Sequence, residues 1–367
     1  MPYKVFAINP GSTSTKIALF DGEEKIFSAN VKHEAAKLKE FPTISDQLPY
    51  REEMIREELQ KAGIDLSDVD AYCGRGGGLL SVEGGVYEAN ETLLDHARRG
   101  ANGFDHPAQL GSQLAEHFAR QYGKKTYVVN PPDTDELQDL ARVTGINGLY
   151  RTVHMHALNL KETAIRHAKS QGKKYEEQNY IVCHIGGGTS VSAHCKGRMI
   201  DGFDNVGGDG PMAPTRCGAV PLAEAARYMM RTGKTPQEMQ DLCVRLGGFV
   251  DHLGTSDAQE VTKRAAEGDQ HAAVLWEAMI YQINKAIGSM ASVLHGEVDG
   301  ILLGGGLVHN EELVAKIREA NSWIAPVYAY PGEFEMEAMA AGVNRVLSGE
   351  EKAKTYNGEP FWKGFDF

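Results

Sequence analysis

A glycine- and hydroxyl-rich turn framed by two apolar runs is written twice into this chain, as KVFAINPGSTSTKIALFDG and as NYIVCHIGGGTSVSAHCKG. Setting Gly11 on Gly186 brings Ser14 over Thr189, Ala18 over Ala193 and Gly22 over Gly197 without a gap, an offset of 175 residues. In each copy an apolar run enters the turn and a second one leaves it, the pattern of a buried β-hairpin. Bare main-chain N–H groups and hydroxyls at such a tip form a concave donor surface suited to phosphate oxygens. A third glycine run, Gly304-Gly305-Gly306, follows the apolar stretch Ile301–Leu303. Three such loops point to a phosphotransferase that uses a nucleotide.

The offset is nearly half of the 367 residues, and a chain of that length exceeds what one core usually serves. Two domains of duplicated topology are expected, with the polar segment SQGKKYEEQN (170–179) as their boundary. The first would cover 1–175, joined by a C-terminal helix at about 333–347; the second would cover 176–332. Within them the periodicity predicts hairpin strands at 3–8 and 15–20 and a second hairpin over 180–202. It also predicts helices at 51–63, 107–122, 152–170 and 269–296, and one over 256–267 opened by a Ser256/Gln259 capping box. Strands followed by helices, restarted midway, suggest two α/β layers facing a cleft.

Net charge is −12, which argues against a broad nucleic-acid surface but leaves room for local cations to hold a small anion. The five cysteines contain no CxxC pair and read as reduced thiols, consistent with a cytoplasmic location. No run approaches the roughly 18 apolar residues that a membrane span needs.

Each candidate site residue has a chemical reason. Pro10 and Gly11 set the first turn, Ser12 and Ser14 offer hydroxyls, and Lys16 adds positive charge. His184, Gly186, Gly187 and Gly188 form the second tip, where a polyphosphate can lie against bare backbone. Arg75 and Arg216 stand in glycine- or proline-rich loops, where a guanidinium can fork onto carboxylate or phosphoryl oxygens. Of His154 and His156, the second is read as a hydrogen-bonding cleft histidine, because no carboxylate or cysteine cluster accompanies the pair. Glu333, Glu335 and Glu337 suit a helix N-terminus, and one of them could add a magnesium contact.

On these segments the chain resembles the acetokinase branch of the actin/Hsp70/sugar-kinase superfamily, the butyrate kinases in particular. NPGSTSTKIALFDGE, GRGG, GGVYEAN, HALN, HIGGGTSVSAH, DGPMAPTRCGAVP, LGTSDAQEV, GGGLVHN and PGEFEMEAMAAG carry the likeness over nearly the whole chain. The resemblance implies two actin-like, ribonuclease H-like domains, each a mixed sheet flanked by helices, with ATP or ADP in the cleft. Asn9 and Glu333 match the magnesium positions, with Glu335 a competing register for Glu333. Ser12, Ser14 and Lys16 match the first phosphate loop, His184 to Gly188 the second, and Gly304, Gly305 and Gly306 the adenosine loop. Arg75 and Arg216 match the arginines on substrate carboxylate and phosphoryl group, and His156 the transition-state histidine; His106, before PAQLG, falls near another active-site position.

Two departures stand out: Asn130 where the family usually has Asp, and Cys217 where Ser is more usual. The implied reaction is reversible phosphorylation of a short-chain carboxylate, butyrate or a branched relative, by ATP, giving an acyl phosphate, in a homodimer or larger assembly. A carboxylate is already an anion at neutral pH and needs no general base. Two other readings stay open. A hydroxyl kinase of the same superfamily would use Asp133 or Asp135 as base. A non-catalytic ATP-binding protein would have Asn130 as the mark of lost chemistry.

Overall fold

The computed structural model describes residues 2–103 and 106–366, which gather into two compact units. One runs up to Asp135 and resumes at Phe334; the other is Glu136–Glu333.

In the first unit the sheet is built from β1 (Lys4–Pro10), β2 (Ser14–Asp21), β3 (Glu24–Lys32), β4 (Ala71–Gly74), β5 (Val86–Glu88), β6 (Lys125–Val129) and β12 (Lys354–Thr355), in the order β12-β5-β6-β4-β1-β2-β3. The first three form an antiparallel meander, while β4 and β6 run parallel to β1. Val5, Phe6, Ala7 and Ile8 are all fully buried, because helices cover both faces of β1. Ile55 and Leu59 of the helix Leu48–Ala62, with Leu110, Leu114 and Phe118 of the helix Leu110–Gln121, pack on one face. Phe118 meets Phe6 edge-on at 6.0 Å between ring centres. The helix Glu335–Leu347 also packs on β1, and its Gly342 lies so close to Val129 that a Cβ there would sit 2.6 Å from Val129 Cγ1.

The second unit has β7 (Asn179–Ile185), β8 (Thr189–Cys195), β9 (Arg198–Gly202), β10 (Gly300–Gly305) and β11 (Val327–Pro331) in the order β11-β10-β7-β8-β9. Again the hairpin strands form an antiparallel meander, and β10 and β11 run parallel to β7. The run β9-β8-β7-β10-β11 thus repeats β3-β2-β1-β4-β6 strand for strand. Trp276, Met279, Ile283 and Ile287 line one side of the helix Gln270–Val293 and bury against Ile181, Cys183 and Val191. On the other face Leu160, Ala164 and Ala168 of the helix Ala157–Ser170 meet Tyr180, Val182 and Leu302.

Some details differ from expectation. The helix Ala157–Ser170 belongs to the second unit, so segment 170–179 is an internal connection there and the division falls at Asp135/Glu136. Its apolar stripe decides this, since it has a strand of that sheet to cover. The helix expected over 256–267 begins at Ala258 and is capped by Asp257, whose carboxylate accepts from Gln259 N at 2.9 Å, with no Ser256 capping box. A carboxylate answers the helix dipole better than a serine hydroxyl does.

Candidate active site

In open sheets containing parallel strands, ligands gather beyond the carboxyl ends of those strands. In each unit separately, the candidate residues sit there.

The first turn joins β1 to β2. Gly11 N donates to Ser14 O at 2.7 Å, closing it tightly. Ser12 and Lys16 are exposed and Ser14 is half-buried. Beneath the turn lies a residue the sequence reading did not single out. Arg51 is fully buried and donates to Gly11 O (2.9 Å), Thr15 Oγ1 (3.1 Å) and, more weakly, to Ser14 O and Ser12 O (3.4 Å each). With the carbonyls drawn inward to one guanidinium, the opposite rim of the turn is left to amides and hydroxyls. His33 completes the base: its Nε2 lies 2.8 Å from Thr15 Oγ1, and its main-chain N donates to Thr13 O at 2.9 Å. Burial, with the Arg51 charge nearby, pushes the His33 pKa down to about 4.

Arg75 follows β4, held by its main-chain N on Ile8 O at 2.9 Å. Gly74 and Gly111 let the strand end and the helix Leu110–Gln121 touch backbone to backbone; a Cβ on either would run into the other segment. Arg75 is 7% exposed and donates to Asn130 O at 3.4 Å, and burial lowers its pKa. Asn130 has φ 37°, a left-handed conformation that Asn tolerates better than most residues. Its Oδ1 accepts from Gly85 N at 2.7 Å and its N donates to Gly85 O at 2.9 Å, so its side chain fastens two loops together. Of the acids at 333 and 335, Asn9 meets Glu335, to which its Nδ2 donates at 2.7 Å. His106 is exposed and its Nδ1 accepts from Ala108 N at 3.1 Å, the cap of a short turn.

In the second unit the turn Gly186–Gly188 is closed by Gly186 N donating to Gly188 O at 3.0 Å. Thr215 grips it from the side, with both Oγ1 (2.8 Å) and N (3.1 Å) donating to Gly187 O. The next residue, Arg216, lays its guanidinium on Gly188, where any Cβ would collide with it. A side chain at 188 would therefore push the Arg216 guanidinium off the turn. Arg216 donates to Asn205 O (3.0 Å) and Val244 O (3.3 Å), carbonyl oxygens rather than carboxylates; burial lowers its pKa to about 10, and it stays charged at neutral pH.

His156 and His184, far apart in sequence, stack at 4.1 Å between ring centres with 26° between planes. Ser190 fixes the first, 2.9 Å from His156 Nδ1. His184 Nε2 lies 3.9 Å from Glu333 Oε1. His154 turns to Asp204 instead, 3.8 Å away. Gly304 pairs with His184 across β10 and β7. Gly305, at φ 99°, would drive a Cβ into the Ile185 backbone, whereas Gly306 faces open space.

Ser190, Thr215 and Asn205 were not legible as site residues, because each is a common polar residue whose role comes from a neighbour distant in sequence. Arg51 left a faint trace, as an arginine on the apolar stripe of its helix.

For magnesium the donor set is sparse but of the right kind. Asn9 has an amide oxygen left over from its bond to Glu335, which is itself a carboxylate. Among the described residues no group of three or more His, Cys, Asp or Glu could hold a metal ion. Magnesium keeps most of its water and takes few protein ligands.

Two sheets that share a five-strand succession, each with a glycine turn after its first strand, define the actin-like fold. The crystal structure of Porphyromonas gingivalis acetate kinase matches it with a TM-score of 0.76 at 17% identity, over 94% of this chain and 100% of that one. Residues 147–324 match the Acetokinase family. A probable butyrate kinase of Clostridium botulinum is 41% identical over 356 residues, 97% of this chain and 100% of the relative. Butyrate kinase 1 of Clostridium acetobutylicum is 40% identical over 354 residues, 96% and 99% of the two chains. The chain therefore belongs to the acetokinase family, and it is a carboxylate kinase.

Proposed function

We propose that the protein transfers the γ-phosphoryl group of ATP directly and reversibly to a short-chain carboxylate, butyrate or a branched relative, giving an acyl phosphate and ADP. The observation that carries this reading is Arg216: a half-buried, charged guanidinium seated on the Gly188 turn and bonded to carbonyl oxygens, with Asp204 as a nearby countercharge. A guanidinium held at a glycine turn suits phosphoryl oxygens, which it can bind by charge-assisted hydrogen bonds. That these relatives are named butyrate kinases supports butyrate as the acid.

In this scheme Arg75 orients the substrate carboxylate, which attacks phosphorus in line while the ADP oxygen leaves. Arg216 and His156 face the equatorial oxygens, and Ser190 holds the His156 ring. Ser12, Ser14 and Lys16, with His184 and Gly186 to Gly188, receive the nucleotide phosphates; Gly304 to Gly306 receive the adenosine. Asn9 with Glu333 or Glu335 would hold magnesium, which offsets phosphate charge when bound. Asn130 acts by fixing the loop beside Arg75. We place the enzyme in the cytoplasm as a homodimer or larger assembly; among the described residues no helix is long and apolar enough to cross a membrane.

A hydroxyl acceptor needs a base. Asp133 and Asp135 are 3% and 2% exposed, and Asp133 Oδ1 accepts from Asn102 at 2.6 Å, which argues against that alternative. Hydroxylamine trapping of acyl phosphate across straight and branched C2 to C6 acids, beside ATP turnover with a hexose panel, tests the proposal. Trapping with C4 and C5 acids is expected. Turnover confined to hexoses, or ATP binding with no turnover, would overturn it.

A further inference from the structure

The cysteines gain a meaning from the fold that their spacing does not suggest. Cys217, directly after Arg216, has its Sγ 3.8 Å from that of Cys243. Both sulfurs line a cavity of about 580 Å³, walled also by Met212, Leu222, Tyr228 and Met239, which is roomy enough for a small oxidant. Cys243 begins to leave the helical pattern: it lies in Leu242–Leu246, a single turn of π-helix. Such wide turns often mark functional segments. Both cysteines are free thiols.

We propose that Cys217 and Cys243 form a reversible disulfide site that controls the position of Arg216; the effect on turnover rests on the function proposed above. The shared contact holds the Cys243 pKa below, and that of Cys217 above, the usual thiol range, with Cys243 the sulfur that attacks first in the proposed step. With hydrogen peroxide as oxidant, the Cys243 sulfur attacks one oxygen, the O–O bond breaks and the other oxygen leaves as hydroxide, taking up a proton to become water. The sulfenic acid so formed is attacked by the Cys217 sulfur; the S–O bond breaks, the second oxygen leaves as water and the Cys217 proton goes with it. Two thiols lose two electrons in all, and one peroxide becomes two waters. A dithiol reductant reverses the change by exchange.

The coupling to Arg216 is built into the backbone. Cys217 N donates to Leu242 O at 3.0 Å, Gly247 N to Thr215 O at 3.2 Å, and Arg216 Nε to Val244 O at 3.3 Å. The segments are already in contact: a Cβ on Gly247 would collide with Cys217 N, and one on Gly248 with Ala213 O. A disulfide needs about 2.05 Å between sulfurs, so they must close by roughly 1.8 Å. With so little slack, that closure shifts the 215–217 and 242–244 segments and lifts the guanidinium from Gly188. Displacement of a reacting group by about 1 Å typically lowers rate by about 10²-fold.

The test uses the full-length reduced protein, treated with hydrogen peroxide and divided between non-reducing peptide mapping and the hydroxamate assay with butyrate. A Cys217–Cys243 cross-linked peptide is expected, with turnover falling about 10²-fold and returning on addition of dithiothreitol. Cys217→Ser and Cys243→Ser should each keep the starting turnover and lose the response. The proposal is overturned by any of four results: no cross-linked peptide, oxidation onward to sulfinic acid, full turnover with the cross-link present, or a Cys217→Ser protein that peroxide still inactivates. Mapping needs no turnover, so an inactive reduced protein would count against the kinase reading and leave the thiol pair to be judged by its peptides.

Discussion

Replacing Arg51 by Met keeps the length and apolar stem of the side chain while removing all the donors that the guanidinium places beneath the first turn. Three of its bonds are short: Gly11 O at 2.9 Å, Thr15 Oγ1 at 3.1 Å and Gln47 Oε1 at 3.1 Å. Hydrogen bonds to a charged group contribute about 1.5–3 kcal/mol each, so the gross loss is roughly 4.5–9 kcal/mol. Removing a buried charge returns several kcal/mol of desolvation, leaving a net destabilisation of about 2–4 kcal/mol. Burial has already lowered the Arg51 pKa to about 10, so at neutral pH the charged form is the one lost. The carbonyls of Gly11 and Ser14 would then compete for other donors, and the turn would lose its shape. KM for ATP should rise by one to two orders of magnitude, by the ordinary cost of a misplaced contact. Urea unfolding measures the first effect and steady-state kinetics at saturating carboxylate the second. Arg51→Lys should recover part of the stability but little of the KM, because one ammonium cannot fork across separated acceptors. A folded Arg51→Met protein with unchanged KM for ATP would refute the idea that this guanidinium shapes the turn.

Three further outcomes follow from named contacts. Gly188→Ala should lower kcat by about 10²–10³, as should Arg216→Ala, and the double variant should be no worse than either, since both remove the same guanidinium from the turn; additive losses in steady-state kinetics would separate the two. His33 has its folded pKa at about 4, below the usual 6.5, so the unfolded chain binds the extra proton between those values. Its stabilisation is complete above pH 6.5 and is lost as pH falls towards 4, up to about 3 kcal/mol; denaturation against pH should show that share of the slope disappear in His33→Gln. Asn130→Asp should unfold closer to the parent than Asn130→Ala does, because an Asp oxygen still accepts from Gly85 N. Asn130→Ala should lose about 2–3 kcal/mol, from the missing bond and the left-handed backbone, and equal unfolding midpoints for the two would contradict the latch.

The duplicated hairpin was legible because β1 and β7 are buried on both faces, and such strands must be nearly continuous apolar runs. Their turns were legible because closing so tightly takes glycine and short hydroxyl residues. The same logic exposed the helix Gln270–Val293, whose apolar positions return every three or four residues. Local chemistry misled at two places. Segment 170–179 is polar because it is a surface connection, not because domains part there. Ser256 lost its capping place to Asp257, one residue on.

What the sequence determined alone, then, is the strands, the turns and the pairing of one half with the other, all of which follow from short-range burial patterns and backbone freedom. The tertiary structure decided which side chains meet. Arg51 reaches Gly11 across 40 residues, His156 reaches Ser190 across 34 and Cys217 reaches Cys243 across 26. None of these partners shares a helix turn or a strand register with the other. Only the packing of whole elements sets such distances, and no local pattern in the chain encodes them.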